Sequence, residues 1–195
     1  VEDHPESIVS MYVVRNFFLQ KDNPDFATAR LLIDKMIESQ PKNNALKTLQ
    51  QTVRNHTPIA HNSSVPKFAA YDINGKQVNN AMLAKADTAV VVAWATWNYN
   101  SVSMLQTVAQ IQKEKGSNMK VLGVCLDYSR SLCRTALRQR AMDDVPTVCD
   151  GKAVDGDVYN RLGMSNLPDN LFIEKGKVTA TGLTLEQLRK KLGKE

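Results

Sequence analysis

Residues 88–101 read TAVVVAWATWNYNS, and this stretch decides the fold. From Thr88 to Thr96 the residues are almost wholly apolar and rich in valine, with no helical spacing. That is the pattern of a strand buried on both faces, which belongs in the middle of a sheet covered by helices. The polar run Asn98-Tyr99-Asn100-Ser101 ends it, and Val102, Leu105, Val108, Ala109 and Ile111 then recur at helical steps, predicting a helix over 99–115. Asn98 stands where such a helix starts, and its side-chain oxygen suits an N-cap.

Working outward, the same alternation continues. Lys67–Asp72 reads as a short strand, and Ile73-Asn74-Gly75-Lys76 as a hairpin turn leading to Val78. Met119–Leu126 is a second buried strand, followed by a helix over Ser129–Ala141 and a strand over Val145–Val148. A short helix near 157–162, strands at Asn170–Glu174 and Val178–Thr181, and a helix from Thr184 complete the pattern. This order predicts an α/β fold with a central mixed sheet flanked by helices.

Ahead of it the chain reads as helices. Ser7 suits a cap for a first helix with Ile8, Met11, Tyr12 and Phe18 on one face, which the Lys-Asp-Asn-Pro turn at 21–24 ends. Phe26, Ala29, Ile33, Met36 and Ile37 mark a second helix, and Pro41 is expected to open a third with Leu46, Leu49 and Val53 inward. The polar, proline-containing stretch His56–Pro66 reads as a linker. The expected division is a helical extension and linker over 1–60 and an α/β domain over 61–195.

Composition narrows the function classes. The 195 residues carry a net charge of +5 and a pI near 9.1, but the basic residues are scattered except at Arg134, Arg138, Arg140 and in the tail Arg189, Lys190, Lys191, Lys194. Solvated helix faces account for them, so no nucleic-acid partner is expected. No run of about 18 apolar residues offers a membrane span. The chain starts at Val1, consistent with a processed or partial sequence, so its beginning says nothing of targeting.

Catalytic and metal patterns are sparse. Cys125, Cys133 and Cys149 form no C-x-x-C pair and no zinc spacing, and His4, His56 and His61 all lie in the first third. Asp150, Asp155 and Asp157 miss the calcium-loop pattern and read as a capped loop. No metal or other cofactor is expected. Ser101 has no G-x-S-x-G context, and no histidine follows residue 61, which disfavours a hydrolase triad.

Four segments carry a resemblance. Val91-Val92-Ala93-Trp94-Ala95-Thr96-Trp97 resembles the signature strand of extracytoplasmic thioredoxin-like proteins of the TlpA/ResA type, roughly V-x-F-W-A-T-W-C-P-P-C. Val121-Leu122-Gly123-Val124-Cys125-Leu126-Asp127 is similar to the family's V-x-G-V-S-x-D strand. Tyr159–Met164 followed by Leu167-Pro168 is similar to its approach to a cis-proline, and Phe172–Val178 to its F-L-I-D-x-x-G-K-I hairpin. The resemblance spans about residues 65–194 and implies a thioredoxin-like fold with a cis Pro168. The helical region is similar to the segment joining a further N-terminal domain to this module in some bacterial envelope lipoproteins.

The departures carry the functional expectation. Where the family has two cysteines this chain has Asn98 and Ser101, with Tyr99 and Asn100 between them, and Met104 replaces the usual acidic residue. Thiol–disulfide exchange needs a thiolate at the helix N-terminus and a second thiol to resolve the mixed disulfide. An amide and a hydroxyl supply neither. The resemblance therefore implies a redox-inactive module of the periplasm or cell envelope, possible lipid anchoring lying in an N-terminal part ahead of Val1. Two readings stay open for the old site: capture of an extended peptide or envelope protein in a groove formed by Trp97, Asn98, Tyr99, Leu167, Pro168 and Asp169, or a vestige in which Trp97 only packs.

A rival expectation is a thiol–disulfide oxidoreductase or peroxidase-like enzyme working through Cys133 and Cys149. In a thioredoxin fold these two places approach, so they form either a structural disulfide, contributing about 3 kcal/mol, or two buried thiols. Cys125 reads as a small buried apolar residue. The partner, the oligomeric state and the role of any preceding domain are not legible.

Overall fold

The computed structural model describes residues 4–19, 25–55 and 59–194. The chain divides into two compact units, Val1–Pro58 and Ile59–Glu195. In the first, α1 (Ile8–Val13) starts at Ser7, whose hydroxyl accepts from the Val9 amide, and runs on as a π-helical turn over Val14–Leu19. α2 (Phe26–Ser39) is capped by the Asp25 carboxylate, and α3 (Asn44–Asn55) follows. Val14, Ala29, Ile33, Met36, Leu46, Leu49 and Val53 form the shared core.

Two sequence expectations are corrected here. The inward face of α1 is not Ile8 and Tyr12, which are exposed, but Ser10 and Val14, with Met11 and Phe18 packed against the core. Ser10, Val14 and Phe18 recur every four residues and fix the packed face, which leaves Ile8 and Tyr12 on the opposite side of the helix. Pro41 does not open α3. It lies in a turn, and Asn43 caps the helix, its Oδ1 accepting from the amides of Ala45 and Leu46. The 21–24 turn, the Phe26 side chain and residues 56–58 of the linker lie outside the described residues.

The second unit is built on a six-stranded sheet in the order β1-β8-β7-β4-β5-β6, with β2-β3 as a separate hairpin. The strands are β1 (Ser63–Ser64), β2 (Ala69–Tyr71), β3 (Gln77–Asn79), β4 (Thr88–Trp94), β5 (Met119–Cys125), β6 (Thr147–Val148), β7 (Asp169–Glu174) and β8 (Lys177–Thr181). β4 pairs parallel with β5 and antiparallel with β7, so both its edges are hydrogen-bonded. Helices α4 (Asn80–Ala84), α5 (Tyr99–Lys115), α6 (Arg130–Gln139), α7 (Asp157–Arg161) and α8 (Leu185–Lys191) complete the unit.

Alternation along β4 feeds two cores. Val90, Val92 and Trp94 face a cluster with Val102, Leu105 and Val108 of α5, Ala136 and Leu137 of α6, and Leu188 of α8. Ala89, Val91, Ala93 and Ala95 face the other, with Leu83 of α4, Tyr159 of α7 and Leu162. Each buried valine contributes about 1.5–3 kcal/mol over an exposed one. The mixed sheet flanked by helices, preceded by helices, is the architecture expected from the sequence. None of the described helices is long and apolar enough to cross a membrane.

Gly123, in the middle of β5, is required by a close approach. A Cβ there would lie 2.7 Å from Thr147 Oγ1 and 3.1 Å from Trp94 Nε1. Thr147 is fully buried, and its hydroxyl donates to the Val145 carbonyl at 3.0 Å, so it has no room to yield. Gly123→Ala is expected to cost about 1–3 kcal/mol, read as a lower urea midpoint at unchanged slope; an unaltered midpoint would mean the strands part freely at this point.

Candidate functional site

The segment leaving β4 is held from two directions. Ser101, fully buried in the first turn of α5, accepts from the Ala95 amide at 3.1 Å through Oγ and donates to the Asn98 carbonyl at 2.8 Å. Asn98 caps α5, its Oδ1 accepting from the Ser101 amide at 2.9 Å. Ser101 is thus the donor, and Asn98 the acceptor, in two separate hydrogen bonds between them. Ser101 has no exposed oxygen to act as a nucleophile, and Asn98 supplies the acceptor that a free helix N-terminus lacks.

The second hold comes from Asp127, just beyond β5. Its carboxylate, 4% exposed, accepts from the Thr96 amide at 3.2 Å and the Thr96 hydroxyl at 3.1 Å. Between these two ties Trp97 and Tyr99 project outward, 70% and 83% exposed. Both rings thus stand on a turn that is hydrogen-bonded at each end. Asn98 also reaches across the site, its Nδ2 donating to the Leu167 carbonyl at 3.5 Å. Leu167 and Pro168 are half-buried, and the bond between them is cis, as the resemblance implied.

Asp169, expected to offer a polar contact to a ligand, turns inward. Its carboxylate accepts from the amides of Ser165, Asn166 and Asn170, at 2.8, 3.3 and 2.8 Å, and so shapes the loop before β7. Burial, then the Asp169 charge, push the Tyr159 phenol well up from its ordinary value. The tyrosine hydroxyl donates to the Asn166 carbonyl. Met104, in place of an acidic residue, is buried with its Sδ 3.5 Å from Asn170 Nδ2.

Of the two arrangements expected for Cys133 and Cys149, the structure has two buried free thiols and not a disulfide, and the buried Cys125 joins them. All three sulfurs lie within 4.8 Å of one another and all are buried. The protons are shared unequally. Hydrogen bonds from Cys125 and Cys133 pull Cys149 far down, assisted by the Gly151 backbone amide. Cys125 is pushed far up by its hydrogen bonds to Cys133 and Cys149 and by burial. Cys125 Sγ lies 3.3 Å from Asp127 Oδ2, and Cys149 Sγ 3.6 Å from the Asp127 carbonyl oxygen. Asp127 was legible only as part of a family-like strand, since nothing local tells that its carboxylate turns back to Thr96.

No sequence-family description and no curated protein matches the chain. Solved structures do. The chain is similar to a thiol-disulfide oxidoreductase from Bacteroides fragilis NCTC 9343, at 23% identity and a TM-score of 0.58 over 67% of this chain and 98% of that one. It is also similar to the thioredoxin domain of a thiol-disulfide oxidoreductase from Bacteroides vulgatus, at 18% identity and a TM-score of 0.59 over 69% and 96%. A third is a DsbF homologue from Corynebacterium diphtheriae, at 18% identity and a TM-score of 0.58 over 68% and 86%. The Ile59–Glu195 unit is a thioredoxin-fold domain. Its structural neighbours are thiol–disulfide oxidoreductases, while its own helix N-terminus carries Asn98 and Ser101.

Ser101→Ala is expected to lower unfolding free energy by about 1–3 kcal/mol, because the buried Ala95 amide loses its acceptor. Asn98→Ala is expected to cost about 1 kcal/mol through the lost cap. Urea melts of both variants measure this, and a neutral Ser101→Ala would rule out the hydroxyl as the link from strand to helix.

Proposed function

We propose that this protein is a redox-inactive thioredoxin-fold module of the bacterial cell envelope that captures extended polypeptide at the former redox face. One observation carries the reading. Asn98 and Ser101 use their polar groups on each other, yet Trp97 and Tyr99 remain exposed on either side of Asn98. The chemistry is gone and the apolar surface beside it is kept.

The groove consists of Trp97, Asn98 and Tyr99 on one side and Leu167-Pro168 on the other, with Asp169 holding the loop from beneath. An extended peptide laid beside Leu167 would pair through backbone groups and rest its side chains on the two rings. The Asn98 amide already spans this gap, but its 3.5 Å bond to the Leu167 carbonyl is at the limit of a hydrogen bond and is readily exchanged. Burial of all three thiols supports binding over thiol chemistry, since a redox dithiol needs an exposed thiolate. The envelope setting rests on the resemblance to extracytoplasmic proteins. The helical unit ahead is read as a spacer from a further, lipid-anchored domain.

Two measurements on one sample test the reading. With dithiothreitol as reductant, insulin reduction is expected to stay at background. Turnover that vanishes in Cys133→Ser or Cys149→Ser would sink the proposal and move the active site to the thiols. Reduced, alkylated insulin B chain serves as the extended polypeptide. Its binding is expected to quench tryptophan fluorescence and to weaken about fivefold or more in Trp97→Ala; unchanged affinity in Trp97→Ala would assign the exposed ring no role.

A further inference from the structure

The chain has three cysteines in 195 residues, and all three converge. They come from separate elements: Cys125 ends β5, Cys133 lies in the first turns of α6, and Cys149 follows β6. Cysteines used only as small apolar residues have no reason to meet. Here their sulfurs lie within 4.8 Å of one another in a space closed to solvent. A further donor stands beside one of them: Asp127 Oδ2 is 3.3 Å from Cys125 Sγ, at the edge of the group formed by the three sulfurs.

We propose that Cys125, Cys133, Cys149 and Asp127 form a binding site for a single zinc ion. Four thiolates or carboxylates around zinc sit about 2.0–2.3 Å from the metal, which places tetrahedral neighbours about 3.5–3.8 Å apart. The sulfurs need to close by about 1 Å at most, a movement within side-chain rotation. Three thiolates and one carboxylate suit a borderline-soft d10 ion. A still softer monovalent copper ion would take the sulfurs and leave the carboxylate aside.

The surroundings fit metal ligands. Asp127 keeps its other oxygen on the Thr96 hydroxyl at 3.1 Å, which would orient Oδ2 toward the metal. Each thiol that binds gives its proton to solvent, and no electron is exchanged. The spacing in sequence carries no zinc pattern because the three ligands come together only through the sheet.

The test uses the whole chain, reduced, stripped with a chelator and exchanged into degassed buffer. Zinc added against a chromophoric competitor is expected to bind at one ion per chain and to raise Tm. Cobalt in its place is expected to give tetrahedral d–d and sulfur-to-metal charge-transfer bands. Zinc is also expected to slow alkylation of all three cysteines in the wild-type protein, a readout that does not depend on any variant folding. Cys133→Ser and Cys149→Ser should abolish binding, and Asp127→Asn should weaken it about 10- to 100-fold, with folding checked by circular dichroism. A reduced native chain that takes up no zinc, zinc held equally well by both serine variants, unchanged affinity in Asp127→Asn, or a native chain isolated with two of its cysteines bridged would each overturn the proposal.

Discussion

The burial of β4 on four sides is the constraint from which the second unit follows. Its edges are taken by β5 and β7, and its faces by two separate apolar clusters. A strand so enclosed cannot slip by one residue, because a slip would exchange its two faces and carry Trp94 into the place of an alanine. The end of the strand is therefore delivered to one point in space. Thr96, Trp97 and Asn98 inherit their positions from that packing rather than from each other.

What happens at that point is a matter of hydrogen-bond supply. The start of α5 leaves amides in need of acceptors, and the turn out of β4 leaves the Ala95 amide in the same state. Asn98 accepts from the Ser101 amide, Ser101 from the Ala95 amide, and Asp127, just beyond the neighbouring strand, from the Thr96 amide. The aromatics on the turn are left without a polar task, which separates the structural part of the site from the part available to a partner.

Much of this was legible in the residues. The apolar run 88–96 announces a central strand, and Ser7, Asn98, Ser129 and Thr184 mark helix starts that the structure keeps with side-chain caps. Two kinds of error remain. The face of α1 was misread because a short helix carries apolar residues on both sides, and Ile8 and Tyr12 are as apolar in sequence as the buried Val14. Cys125 was read as buried, and it is, but its convergence with the other thiols was not legible, because mid-run among Val124 and Leu126 a thiol is indistinguishable from any small apolar side chain. Its meeting with Cys133 and Cys149 is set by the register of β5 with β6 and by the placing of α6, quantities that pairwise spacing does not encode. Asp169 failed likewise: its sequence position next to Pro168 suggested the surface, and its three amide donors are visible only in the folded loop.

The buried hydroxyl of Ser101 has a consequence for redesign. A thiol is a weak acceptor, so cysteine placed at this position would strip the Ala95 amide of its partner while the rest of the turn stays fitted to oxygen. A dithiol built at positions 98 and 101 would thus begin with a loss of stability. The strand-to-helix junction is keyed to an oxygen, and the outer surface of the turn, at Trp97 and Tyr99, is where substitution meets the least resistance.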